Sequence, residues 1–74
     1  MFSSNPTAFQ IAQEPEEYLG REIAIDWYTA GVLSSVETVE TYGPPQIRLV
    51  LRDASSGRSV DFELDLNQAV RVRD

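Results

Sequence analysis

Three carboxylates stand at alternate positions in the run Ser-Val-Asp-Phe-Glu-Leu-Asp: Asp61, Glu63 and Asp65. In an extended chain, residues two apart share a face, so the three acids are neighbours. Such a row has three chemical uses. Paired carboxylates can act as acid and base on a glycosidic bond. A set of carboxylate oxygens can hold a hard divalent cation. An acidic strand face can meet a cationic partner. No loop spacing supports the cation site, and Val60, Phe62 and Leu64 interleave the acids. That alternation marks them as the wet side of a half-buried strand. Serines are plentiful, but a serine nucleophile needs a base beside it, and the chain has no His, Lys or Cys. The same absences remove disulfides and both thiolate and imidazole metal sites. Gly20, Gly31, Gly43 and Gly57 are scattered, so none builds a phosphate-cradling loop. No catalytic residue, metal ligand or cofactor is expected. The chain reads as a binder rather than an enzyme.

A second set of residues suits recognition. Tyr28, Tyr42, Pro44 and Pro45 fall near expected loops and could form an aromatic and proline rim, and tyrosine is enriched at interfaces. Trp27 shares parity with Ile23 and Ile25 and is expected in the core. Phe9 sits with Phe2 on a polar, interrupted N-terminal stretch, where docking on a partner would spare an aromatic ring from water. The candidate partner-binding residues are therefore Phe9, Tyr28, Tyr42, Pro44, Pro45, Asp61, Glu63 and Asp65.

With 74 residues, the chain has room for one domain and a thin core. Twelve acidic residues against six Arg give a formal charge of −6. That balance argues against a phosphate backbone and against an anionic membrane. It favours solubility and a basic protein partner. Residues 1–13 lack a basic segment followed by a long apolar run, so no secretory signal is expected, and the cytoplasm is the expected compartment.

Residues 1–13 read as a flexible N-terminal arm with Asn5-Pro6 as a turn, and residues 14–74 as one small domain. Glu14 to Gly20 reads as a single helical turn. Pro15 suits the first helical position, Glu16 and Glu17 suit its positive end, and Gly20 suits its close. Tyr18 and Leu19 would face the core. From Arg21 the period becomes two. A strand at Arg21–Trp27 turns tightly through Thr29-Ala30-Gly31 into a second at Val32–Glu40. There the apolar residues change parity, as at a bend or bulge. Pro44 and Pro45 end it in a loop. The third strand, Gln46–Asp53, turns Ile47, Leu49 and Leu51 inward. A hairpin with Gly57 late in its loop leads to the fourth, Arg58–Asp65, with Val60, Phe62 and Leu64 inward. A brief 3₁₀-type turn at Leu66-Asn67-Gln68 precedes the last strand, Ala69–Arg73, with Val70 and Val72 inward. If Asp53 and Arg58 flank the hairpin loop, Arg48 lies opposite Glu63, and outward Arg on the third and fifth strands bracket the acids of the fourth. A slip of one residue would drive charges into the core.

Five short strands joined by tight turns suit a mainly β fold: a small, strongly bent, five-stranded antiparallel barrel with a short helical turn before it. In the order EPEEYLG, REIAIDW, GVLSSVETVE, QIRLVLRDASSGRSVDFELD, LNQ, AVRVR, the layout of residues 14–73 resembles the SH3-like and Sm-like small barrels. The Sm nucleotide-binding motifs are absent: no Asp-x-x-x-Asn follows Gly31-Val32-Leu33, and no Arg-Gly pair precedes the last strand. RNA binding therefore transfers to no particular residue. The stretch GRSVDFELDLNQAVRV is similar to the Rho-binding antiterminator family. That resemblance implies a small acidic regulator that blocks a nucleic-acid-binding protein. The leading expectation is a non-catalytic interaction or regulatory module that binds a protein through a strand edge, a loop rim or its acidic face. The alternatives are an Sm-like RNA-binding homo-oligomer using Arg48, Arg52, Arg71 and Arg73 as a basic stripe, and a structural subunit of a larger complex or virion.

Overall fold

A computed structural model describes residues 2–26, 29–40 and 42–73. Its elements run β1 (Phe2–Ser4), α1 (Ala8–Gln13), α2 (Pro15–Tyr18), β2 (Glu22–Ala24), β3 (Ala30–Val39), β4 (Gln46–Arg52), β5 (Ser59–Asp65) and β6 (Arg71–Arg73). All six strands join one antiparallel sheet in the order β1-β6-β2-β3-β4-β5. The five strands expected from sequence are β2 to β6.

The β4–β5 hairpin follows the alternation closely. Ile47, Leu49 and Leu51 are buried and lie opposite Leu64, Phe62 and Val60. The Asp53 N–H donates to the Arg58 carbonyl at 2.8 Å, Gly57 takes a positive φ of 74°, and Arg48 stands opposite Glu63 as the register required. The parity change in β3 has its cause in a register shift between Leu33 and Ser35. Ser34 is the extra residue, and its hydroxyl donates to the Val50 carbonyl at 3.1 Å. Leu33 and Val36 consequently share the inner face, opposite Leu51 and Leu49.

Ala30 and Gly31 already belong to β3 rather than to the turn expected at Thr29-Ala30-Gly31. The Ile25 N–H donates to the Thr29 carbonyl at 2.9 Å. Trp27, expected in the core, lies outside the described residues. Strand β2 is three residues long. Ala24 is buried on its outer face, where its methyl stands between ladder partners Ala30 and Arg71.

Two expectations are corrected. Residues 1–13 are not a free arm: β1 pairs with β6, and α1 buries Ala8 and Ile11 completely. A six-residue helix is too short to persist by itself, and here both local and tertiary bonds hold it. Thr7 caps it, accepting from the Gln10 N–H at 3.2 Å, while the Gln10 side chain accepts from the Thr7 N–H at 2.8 Å. The Ala8 and Phe9 N–H groups, which a helix start leaves without partners, donate to the carbonyls of Gln68 and Leu66 at 2.9 Å each. The second correction is that the sheet does not close among the described residues. Strand β1 occupies the outer edge of β6, and β5 pairs with β4 alone.

The core lies inside the bend, where Ile11, Ile23, Leu33, Ile47, Leu49, Val70 and Val72 are fully buried, with Tyr18 and Phe62 packed at its margin. Leu19, expected to face it, is exposed, because α2 ends at Tyr18 and the chain turns through Gly20. The turn after β5 has the expected i→i+3 bond, Gln68 N–H to Asp65 carbonyl at 3.1 Å.

Candidate interaction surface

The outer face of β5 presents Asp61, Glu63 and Asp65, all exposed. Opposite them on β4 are Val50, Arg48 and Gln46. Arg48 is the centre of a three-strand row. It donates through Nη1 to Glu37 Oε1 on β3 at 2.7 Å and through Nη2 to Glu63 Oε1 at 3.0 Å. These bonds, Glu63 first and Glu37 second, hold its guanidinium still further above its usual pKa. Gln46 Nε2 reaches Asp65 Oδ1 at 3.4 Å, whereas Asp61 has the apolar Val50 opposite. The acids thus outnumber the cation that answers them.

At the C-terminal end of β5 three separate segments meet. Pro44, Pro45, Asp65, Leu66 and Asn67 line one shallow depression. Thr7, Phe9, Leu66 and Asn67 line a second. Leu66 and Asn67 line both, so the two lie side by side around this turn. The bond from the Phe9 N–H to the Leu66 carbonyl fixes the helix to this turn, and Phe9 stays 45% exposed.

No family model, curated protein or solved structure matches this chain.

Of the candidates named from sequence, the fold brings Phe9, Pro44, Pro45 and Asp65 together around Leu66. Asp61 and Glu63 continue the row along the same strand. Tyr42 stands fully in solvent and lines neither depression, so the rim contains the prolines without it. Tyr28 lies outside the described residues. Sequence reading missed Thr7, Leu66 and Asn67. The first had a signal, because Thr7-x-x-Gln10 is a capping-box pattern. Leu66 had none, since turn residues show no periodicity.

The proposed basic stripe is divided. Arg48 and Arg52 are on β4, Arg71 and Arg73 are on β6, and β2 and β3 lie between. The last strand therefore does not face the acids of β5. Arg73 pairs instead with Glu22 on β2 at 3.3 Å. Among the described residues, no group of three side chains able to hold a metal ion assembles, and no helix is long and apolar enough to cross a membrane.

Proposed function

We propose that this chain is a small non-catalytic interaction or regulatory module with an SH3-like or Sm-like layout. It binds a protein partner where Phe9, Pro44, Pro45 and Asp65 surround Leu66. The reading is carried by two neighbouring depressions that share Leu66 and Asn67, one reached by Phe9 of α1 and the other by Pro44 and Pro45 of the β3–β4 loop and Asp65 at the end of β5. Apolar depressions beside the Asp65 carboxylate have the character of a binding patch, and the residues lining them include no nucleophile paired with a base. The layout is supported by the helix preceding the meander β2–β5 and by the return of β6 beside β2. A regulator of this kind would use its acidic face to occupy a basic surface on its partner. The RNA-binding ring is less well supported, because Arg48 is held by two carboxylates and the remaining arginines are dispersed.

Two variants test the proposal: Phe9→Ser, and the charge reversal of Asp61, Glu63 and Asp65 to Lys. Affinity capture from the native host with quantitative mass spectrometry should show the partner lost with either variant and weakened by salt. Capture indifferent to both variants and to salt, or retention of short RNA in a low-salt gel shift, would overturn it.

A further inference from the structure

We infer that β5 accepts an added strand from its partner, and that the partner's segment alternates basic with aliphatic residues. The inference deepens the interaction reading above and rests on it. Three observations converge on this strand. First, among the described residues β5 pairs only with β4, so its other edge offers the backbone groups of an open ladder, a common way to capture an extended segment. Second, its inner face is incompletely covered. Val60 is 52% exposed although its ladder partner Leu51 is buried, and Phe62 is only half-buried opposite the fully buried Leu49. A strand laid beside β5 would set aliphatic side chains at cross-strand distance from both.

Third, the outer face carries Asp61, Glu63 and Asp65, while the one arginine among their β4 partners is shared with Glu37. Cations at the outer positions of an incoming strand would answer that excess. A second copy offering its own β5 would instead bring carboxylates against carboxylates, which is destabilising. Charge therefore selects a basic partner over self-association through this edge. At Asp65 the edge leads into the depression formed by Pro44, Pro45 and Leu66, which gives the partner's next apolar side chain a place to enter. Edge charges also guard strands against aggregation. If protection were their whole purpose, a basic alternating strand would bind no better than a disordered basic peptide.

The experiment titrates the ¹⁵N-labelled full chain with three capped nonapeptides. One alternates arginine and valine. One has the same composition in two blocks. One is the alternating peptide with every second amide N-methylated. The alternating peptide should shift the amides of Ser59–Asp65 and Asn67 and bind about tenfold more tightly than the block peptide. It should lose that advantage on N-methylation and weaken about tenfold against an Asp61→Lys, Asp65→Lys variant. Equal binding of the alternating and block peptides, or shifts centred away from β5, would overturn the inference. A chain that captures its host partner through Phe9 yet ignores the alternating peptide refutes the added strand and leaves the interaction reading intact. Capture indifferent to Phe9→Ser and to the charge reversal refutes both.

Discussion

β4 and β5 are adjacent seven-residue strands with the same alternation of apolar and polar residues. On β4, Ile47, Leu49 and Leu51 are all buried; on β5, Leu64 alone is, and Val60 stands half in solvent. The difference is one of position. Among the described residues, β4 has a strand on either side, and β5 has one. Alternation decides which face a side chain takes, while cover depends on what stands beside the strand. The same edge position that uncovers Val60 also leaves backbone groups available to a partner.

The sharpest way to break this comparison is to truncate one inner residue on each strand. Leu49→Ala should cost about 2–5 kcal/mol in urea unfolding, as an uncollapsed core cavity does. Val60→Ala should fall within about 0.5 kcal/mol of the parent, as an exposed substitution does. Equal costs would mean that β5 is covered in solution. Gly31→Ala sharpens the β4 side. A Cβ there would lie 2.9 Å from the Arg52 carbonyl oxygen and 3.1 Å from Leu51 Cβ. The backbone oxygen has no flexible stem to move, so a loss of about 1–3 kcal/mol is expected from the same denaturation curve.

The smallest effect lies in the loop joining the two strands. The Ser55 N–H and hydroxyl both donate to Asp53 Oδ1 at 2.8 Å and, the backbone bond foremost, depress the Asp53 pKa below its ordinary 3.8. A carboxylate with a lower pKa folded than unfolded stabilises the protein above the unfolded value, and that contribution is lost as pH falls through the folded one. Stability curves of the parent and Asp53→Asn should therefore converge as the pH drops below 3.8. A constant separation across that range would show that the loop bonds do not depend on the charge.

The features legible in sequence were those set by near neighbours. The alternation of β4 and β5 placed Leu49 and Phe62, the paired charges placed Arg48 opposite Glu63, and the broken parity near Val36 marked the bulge. Pro15 and Gly20 marked α2. The N-terminal segment was illegible because α1 has only six residues, too few for a helical period to show, and its one local signal is the capping box of Thr7 and Gln10. Openness was illegible because the same alternation serves a closed and an open sheet, and the decision lies with β1, a distant strand, at the edge of β6. The surface was half legible. Residue types suggested Phe9, Pro44, Pro45 and Asp65, but only the bond between α1 and the turn after β5 sets Phe9 beside Leu66.

That pairing of β1 with β6 sets Phe2 across from Arg73, with Thr7 bridging Ala69 and the Pro6 carbonyl receiving the Val70 N–H. These pairings join the two ends of the described chain, so they close the longest loop in the fold. Contacts of such sequence separation form slowly, so this seam is expected to set late in folding and to complete the domain as a unit. Before it sets, Ile11 and Val70 lack the packing that buries them in the folded domain.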